Sequence, residues 1–293
     1  MDRFVSVIIP VFNDPERLKI CLTALETQTY PQDCYEEIVV DNGSDESLEN
    51  IVKQFPQAKL AYCNNPGSYA ARNHGISLAK GEILAFTDSD CIPASDWLTM
   101  GVKRLVATAN CGLVAGKIEI FFKNSDRPRA IELYDSVTFF NQKQYIEEKK
   151  YGATANIFTE KLVFERVGLF NSQLKSGGDR EWGQRLFAQG YSLVYADEAR
   201  VAHPARYSFG QMYHKVARVR GAGYEQARAT QPLLIYLLTT LSHLKPPFRS
   251  TRRKLHQLSQ EDRLKNTLQV IQVLGVIFAM HYLGFFAQTY RSR

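Results

Sequence analysis

The chain has 293 residues, of which 45% are hydrophobic and 23% charged, with only 18 glycines and 11 prolines. This balance is typical of a folded chain with a sizeable core and excludes a disordered or low-complexity one. Residues 206–293 hold 14 Lys and Arg against 3 Asp and Glu, while residues 1–90 hold 7 Lys and Arg against 14 Asp and Glu. The excess positive charge behind the net charge of +6 is therefore C-terminal, unlike that of a uniformly basic nucleic-acid binder, and we expect no nucleic-acid partner.

The first hundred residues alternate apolar runs with helical patterns. The β-branched run FVSVIIPV at 4–11 predicts a strand buried on both faces of a parallel sheet, and it is too short for a signal peptide. Four β–α units in sequence predict a doubly wound α/β layer, in which ligands bind at the carboxyl ends of the strands. The further predicted elements are strands at 36–41, 58–63 and 82–88, and helices beginning at Asp14 and spanning 44–55 and 68–80.

The middle of the chain is less regular, and the body of the protein is predicted to end near Arg206. Its predicted elements are a strand at 113–122, a helix at 127–148, a strand at 153–159, a helix at 179–190 and two short strands, YSLVYA and ARVAHP. The five cysteines form no Cys-x-x-Cys pair or zinc-type cluster, which predicts reduced thiols in a cytosolic compartment.

The C-terminal region differs in kind. An apolar stretch at 233–238 is too short to cross a bilayer, and a basic run follows at 245–254. Residues 266–290 contain no charged side chain and are long enough for a spanning helix, although internal polar groups such as His281 oppose insertion. Three alternatives stay open for this segment: a helix that spans the membrane, one that lies in its interface, and one that packs on the body.

Acidic side chains follow two of the predicted strands. Asp88 and Asp90 come after an apolar strand, where they could share a divalent cation or form a solvated turn. Asp41 ends another strand, where it could accept a hydrogen bond from a nucleobase or ribose, or cap a helix that begins near Ser44. Together with residues 10–13, these strand ends would converge on one cleft.

Five motifs in this order resemble the signatures of family 2 inverting glycosyltransferases with the GT-A fold: SVIIPVFND, EIVVDNGSDES, NPGSYAARNHGI, GEILAFTDSD and GGDREWGQRL. The resemblance covers about residues 4–205. It implies an α/β fold with a single Rossmann-like mixed sheet flanked by helices. The implied catalytic domain is 1–205, with a nucleotide-sugar half at about 1–110 and an acceptor half at about 111–205. A helical, basic and apolar membrane-associating region, 206–293, follows it.

The resemblance also assigns a donor site. Asp41 would face the base of a nucleotide-sugar donor, and Arg72 would lie along the cleft near the nucleotide or diphosphate. The residues implied to bind the donor are Pro10, Val11, Asn13, Asp41, Arg72, Asp88 and Ser89.

The same resemblance implies a metal and a base. Asp90 would bind Mg²⁺ or Mn²⁺, with Asp88 toward ribose or metal and with His203 completing the set, although a histidine before proline is ordinarily a strand-end residue. Asp179 matches the general base, and Glu181 is the alternative. The sequence departs from the family pattern at Gly178, where many relatives carry Glu, and a small residue there would enlarge an acceptor pocket.

The resemblance therefore implies a metal-dependent inverting transfer of sugar from a nucleotide-sugar to a lipid-linked or polysaccharide acceptor. The reaction would occur at the cytoplasmic face of the cell's inner membrane, in the assembly of a cell-envelope polysaccharide. A nucleotidyltransferase would need a glycine-rich phosphate loop after the first strand, which PVFNDPERL does not provide. A non-catalytic scaffold protein that keeps the fold is the remaining alternative.

Overall fold

The computed structural model describes residues 3–230, 245–261 and 263–290. Its chain divides into a first unit, Met1–Glu119 with Asn141–His203, and a second unit, Ile120–Phe140 with Pro204–Arg293. The predicted division near Arg206 differs from this in residues 120–140, which fold with the C-terminal region. The predicted apolar stretch at 233–238 lies outside the described residues.

Eight strands form one mixed sheet, in the order β3-β2-β1-β4-β7-β6-β8-β5. The pairs β1–β2, β1–β4 and β2–β3 are parallel, whereas β4–β7, β6–β7 and β5–β8 are antiparallel. The parallel strands are the first four that the sequence predicts. The strands are β1 Val5–Val11, β2 Tyr35–Asp41, β3 Ala58–Tyr62, β4 Ile83–Thr87, β5 Ile92–Pro93, β6 Cys111–Phe121, β7 Asn156–Glu160 and β8 Ser192–Pro204.

Helices follow the strands as the alternating pattern predicts. The helix after β1 starts with Pro15 at its first position, where a missing N–H costs nothing, and it buries Leu18, Leu22 and Leu25. The helices are α1 Pro15–Glu26, α2 Glu49–Val52, α3 Ser68–Leu78, α4 Trp97–Ala107, α5 Ala130–Ser136, α6 Gln142–Lys149, α7 Lys161–Val167, α8 Gly178–Ala188, α9 Phe209–Thr230, α10 Phe248–Gln260 and α11 Thr267–Tyr290.

Three predicted elements are wrong in extent. The helix predicted at 44–55 is only the short α2, because side-chain hydrogen bonds hold residues 43–46 in a loop. The helix predicted at 127–148 is two helices, α5 and α6, separated by a break in which Phe140 has a φ of 63°. The two short strands predicted between 191 and 204 are one continuous strand, β8.

Asn156 holds the antiparallel part of the sheet together. This fully buried amide donates to the carbonyl of Lys117 on β6 at 2.8 Å and to that of Ala199 on β8 at 2.9 Å. Its oxygen accepts the indole N–H of Trp97 on α4 at 2.8 Å. All the hydrogen-bonding groups of the amide are thus paired, which fixes β8 relative to its neighbours.

The second unit has its own apolar core, built from α5, α9, α10 and α11. Residues 120–140 join this unit because α5 supplies Leu133 and Tyr134 to that core. Within the described ranges, one helix is long and apolar enough to cross a membrane, by its length and composition. Its segment Thr267–Gly284 has a mean hydropathy of 1.5 and is 22% buried, and it exposes Leu268 and Ile271.

Glu37 makes the stability of the first unit depend on pH. Its carboxylate is fully buried on β2, and neither oxygen has a hydrogen-bond partner among the described residues. Burial, with a smaller contribution from Glu26, raises its pKa to about 8 from a usual value of 4.5. The folded state therefore binds more protons than the unfolded state between these values, so the free energy of unfolding falls as pH rises through that interval.

We expect Glu37→Gln to flatten this dependence, because the amide keeps the shape and cannot ionise. In urea unfolding between about pH 5 and pH 9, the wild type should lose on the order of 1–3 kcal/mol that the variant retains. The exposed Glu16→Gln is the matched control and should keep the slope of the wild type. Parallel pH profiles for the wild type and Glu37→Gln would contradict this account.

Candidate active site

Asp88 and Asp90 stand in a tight turn directly after the buried strand β4. The backbone N–H of Cys91 donates to the carbonyl of Asp88 at 3.0 Å and closes the turn. The side chains of Asp88 and Asp90 are 30% and 24% exposed, and Ser89 between them is buried. Two carboxylates therefore face the carboxyl end of the parallel strands, as the strand pattern predicts.

An antiparallel strand pair brings His203 to Asp90. In the β5–β8 register, Ile92 lies opposite Ala202 and Pro93 opposite Val201. Continuing that register places His203 beside the turn, where its Nε2 is 3.6 Å from Oδ1 of Asp90. His203 is 3% exposed. The pairing of β5 with β8 therefore brings the backbone of His203 next to the turn that carries Asp90.

These residues fit a divalent cation. Ligand atoms of Asp90, Cys91 and His203 all lie within 4.8 Å of one another. Burial and the neighbouring Asp88 raise the pKa of Asp90, whereas His203 opposes this shift; a cation would offset the cost of keeping the carboxylate charged. Complete burial raises the pKa of the Cys91 thiol well above 9, and that thiol donates to the carbonyl of Ala155. The fitting donors are therefore carboxylate oxygen and imidazole nitrogen.

Two arginines compensate the acidic turn. Arg72, which is 4% exposed on α3, donates through Nη2 to Oδ1 of Asp88. Arg17 on α1 lies with Nη1 3.7 Å from Oδ2 of Asp90, while its Nε donates to Asp14 at 2.9 Å. The resemblance places Arg72 along the donor cleft, and the structure shows that this residue is bonded to one of the two carboxylates.

Hydrogen bonds also fix the ends of β1 and β2. Asp41 is 4% exposed, and its Oδ1 accepts the backbone N–H of Ser44 at 2.9 Å. Asn13, with a φ of 51°, exchanges two 2.8 Å hydrogen bonds with Asp45. Pro10 and Val11 are buried in β1. The loop after β2 is thereby tied to the end of β1, beside which Asp41 stands.

Asp179 begins α8, and Tyr69 on α3 holds it. Its Oδ1 accepts the phenolic O–H of Tyr69 at 3.2 Å and the backbone N–H of Arg180 at 2.9 Å. The ring of Tyr69 also lies 5.7 Å from the guanidinium of Arg72. Asp179 and Asp88 are thus joined through Tyr69 and Arg72.

Gly178 is required by Tyr69 and does not enlarge a pocket. A Cβ at this position would lie 2.8–2.9 Å from three carbons of the Tyr69 ring. The space that a small residue leaves is therefore filled by that ring, which is 7% exposed. The expectation that Gly178 widens an acceptor pocket is wrong for this reason.

The side chains of Glu181 and Trp182 have other partners. Both oxygens of Glu181 bond to Arg185, at 2.6 and 3.1 Å, and Arg185 also donates to two backbone carbonyls. Trp182 is 1% exposed, donates to the carbonyl of Gly168 at 3.0 Å and stacks on Phe164 at 4.4 Å between centroids. This indole is a core side chain and does not stack on a sugar.

Two residues of the site are missed by the sequence analysis. Arg17 lies three residues after Asp14 at the start of a predicted helix, and this spacing indicates an ion pair between the two side chains. It does not indicate that Arg17 also lies near Asp90. Tyr69 has no local signal, because its contact with Gly178 arises only from the packing of α3 against α8.

The sequence profile described as Glycosyl transferase family 2 matches residues 6–168. The chain belongs to this family. Glycosyltransferase AglE of Haloferax volcanii is 43% identical to it over 221 residues, which cover 74% of this chain and 71% of the relative. A dolichyl N-acetyl-alpha-D-glucosaminyl phosphate 3-beta-D-2,3-diacetamido-2,3-dideoxy-beta-D-glucuronosyltransferase of Methanococcus voltae is 24% identical over 207 residues, covering 65% of this chain and 64% of that one. The protein is therefore a sugar-transferring enzyme.

The fold is shared with solved glycosyltransferases. The mannosyltransferase PcManGT of Pyrobaculum calidifontis, solved with GDP-Man and Mn²⁺, superimposes with a TM-score of 0.65 at 18% identity, covering 99% of this chain and 87% of that one. The predicted GT-A fold, a single mixed sheet flanked by helices, is confirmed, as is the helical, apolar C-terminal extension.

The contact between Gly178 and Tyr69 predicts a coupled pair of variants. Gly178→Ala should lower the free energy of unfolding by about 1–3 kcal/mol, because the ring is buried and cannot swing away. In a Tyr69→Ala background the same change should cost less than about 0.5 kcal/mol. Gly275→Ala, where a Cβ meets nothing within 4 Å, serves as the control and should not destabilise.

Thermal or urea unfolding of the four proteins of this cycle provides the measurement. An equal cost of Gly178→Ala with and without the Tyr69 ring would show that the ring is not what requires the glycine.

Proposed function

We propose that this family 2 glycosyltransferase is metal-dependent and inverting, and that it moves a sugar from a nucleotide-sugar to a hydroxyl of a lipid-linked or polysaccharide acceptor. The observation that carries the proposal is the Asp90–His203 pair beside Asp88, with a separate carboxylate, Asp179, held at the start of α8. One set of groups suits a diphosphate and its cation, and the other suits a hydroxyl.

The donor nucleotide would bind at the strand ends. Asp41 keeps one carboxylate oxygen beyond its bond to Ser44 and could accept from the base. The ends of β1 and β2 are tied by Asn13 to the loop that carries Ser44, so this part of the cleft is formed in advance. Pro10, Val11 and Ser89 would supply buried walls of the same cleft.

Asp90 and His203 would hold the cation, with Asp88 fixed beside them by Arg72. A bound divalent cation would supply positive charge to the leaving nucleoside diphosphate. An imidazole nitrogen in the set favours Mn²⁺ over Mg²⁺, since magnesium takes oxygen ligands almost exclusively. The Mn²⁺ named with PcManGT supports this choice for the same fold.

Asp179 would act as the general base. An inverting transfer needs a carboxylate that removes the proton of the acceptor hydroxyl as that oxygen attacks from the face opposite the diphosphate. The hydroxyl of Tyr69 and the backbone N–H of Arg180 fix the Asp179 carboxylate at the start of α8, where it would receive this proton. Glu181, the alternative, is committed to Arg185 through both of its oxygens.

The proposed acceptor and the proposed membrane location are argued from features of the second unit. The apolar helix α11 and the basic C-terminal region support association with an anionic membrane surface, whether α11 spans it or lies on it. The Methanococcus voltae relative is named for a dolichyl-phosphate-linked sugar. Five free thiols support the cytoplasmic face of the membrane, and a cell-envelope polysaccharide or glycan is the proposed product.

The non-catalytic alternative has no support from the relatives, which are named as transferases. The chain also keeps every side chain that the chemistry needs: Asp41, Asp88, Asp90, Asp179 and His203.

Release of nucleoside diphosphate from a panel of nucleotide-sugars, with Mn²⁺, Mg²⁺ or EDTA, tests the proposal. We expect release with one donor, faster with Mn²⁺ than with Mg²⁺ and absent with EDTA. Asp90→Ala and Asp179→Asn should each lower it about 100-fold or more. Glu181→Gln is the matched control on the same helix and should stay within about tenfold of the wild type, because its partner is Arg185.

A missing acceptor could silence a competent enzyme, so a binding measurement accompanies the assay. The donor with Mn²⁺ should raise the Tm of the wild type and of Asp179→Asn but not of Asp90→Ala. Equal stabilisation of all three proteins, or release that EDTA does not affect, would contradict the proposed metal site.

A further inference from the structure

Basic side chains from two helices of the second unit meet beside Tyr134 of α5. Lys254 of α10 lies with Nζ 5.6 Å from the centroid of the Tyr134 ring. Burial raises the pKa of the Tyr134 hydroxyl, and Arg220 of α9 opposes that rise. Burial, with smaller contributions from Arg253 and Arg220, lowers the pKa of Lys254 to about 8. Positive groups are therefore concentrated at one half-buried place.

Arg220 is held in position by α11. Its Nη1 donates to the backbone carbonyl of His281 at 2.6 Å. A Cβ at Gly284 would lie 2.6 Å from Cδ of Arg220 and 2.8 Å from its Nη1, so the missing side chain at Gly284 is what makes room for the arginine. The apolar helix is thus shaped around a cation.

The carboxylates described in this unit do not compensate these cations. None of them lies within 4 Å of the nitrogens of Arg220 or Lys254, and three have other partners. Glu132 accepts two backbone N–H groups, Asp135 bonds to Arg206 at 3.1 and 3.2 Å, and Glu261 pairs with Arg263. Withdrawing like charges from water without an opposite charge is unfavourable, so the arrangement suits an anion.

The donors select the anion by its chemistry. An arginine fork, a lysine ammonium and a phenolic hydroxyl are donors that suit the oxygens of a phosphate group. We propose that Arg220, Lys254 and Tyr134 form a phosphate-binding site of the second unit. Because α11, which contacts Arg220, is long and apolar enough to enter a membrane, the phosphate of a lipid suits the site, and a soluble phosphate shares its chemistry.

This inference deepens the proposed function, on which its lipid-linked substrate rests, by naming where such a phosphate is held. The full-length protein is tested by flotation with phosphatidylcholine vesicles that contain a few mole per cent of a polyprenyl monophosphate, or of phosphatidylglycerol, or neither. Inorganic phosphate is the soluble probe, as a competitor and in direct titration. The variants are Arg220→Gln and Lys254→Gln, with Arg249→Gln and Arg252→Gln as controls that remove the same charge from exposed positions of α10.

Arg220→Gln and Lys254→Gln should each weaken binding to polyprenyl phosphate vesicles about tenfold, since each removes a charged hydrogen bond. The controls should change it less than about twofold. Loss confined to inorganic phosphate would keep the site and assign it a soluble ligand. Equal weakening by all four variants would overturn the site and leave unspecific attraction to the membrane. Lys254→Gln decides the outcome should Arg220→Gln fail to fold, since Lys254 bonds no backbone group of α11.

Asp90→Ala separates this inference from the transferase proposal, because it should bind polyprenyl phosphate like the wild type. If no donor is turned over but Arg220→Gln still weakens binding to polyprenyl phosphate vesicles, only the transferase mechanism is wrong. If a donor is turned over but all four variants bind these vesicles equally, only the phosphate site is wrong.

Discussion

The pairing of β5 with β8 is the constraint on which the candidate site depends. Two residues, Ile92 and Pro93, suffice to bring the turn after β4 against a strand from the far end of the first unit. That strand is itself fixed, because the amide of Asn156 bonds to the carbonyl of Ala199. The backbone thus brings Asp90 and His203 together, and their side chains lie 3.6 Å apart, between Oδ1 and Nε2.

A second chain of contacts connects Asp179 with Asp88. Asp179 receives the hydroxyl of Tyr69, the ring of Tyr69 lies beside Arg72, and Arg72 bonds to Asp88. Gly178 is part of this arrangement, since the absence of a side chain there makes room for the ring of Tyr69. Asp179 and Asp88 are thus joined by one network of contacts through Tyr69 and Arg72, so a change in one member should affect the others.

Much of the first unit is predictable from sequence because its signals are local. The β-branched run at 4–11 and the acidic ends at Asp41 and Asp88 follow from the alternation of strands and helices in a parallel sheet. Three other features could not be predicted from the sequence, because each depends on residues that are distant in the chain. They are the two-residue strand β5, the contact of Tyr69 with Asp179, and the partners of Arg220. The break at Phe140 could not be predicted either, because its left-handed backbone conformation is adopted by a residue other than glycine.

We propose Asp90 and His203 as the ligands of the catalytic cation. Anomalous diffraction at the manganese edge, from crystals of the full chain grown with Mn²⁺ and a nucleoside diphosphate, would locate that cation. We expect one peak in the first unit, within ligand distance of Oδ1 of Asp90 and Nε2 of His203. A manganese peak bound by other residues, with His203 outside ligand distance, would contradict it.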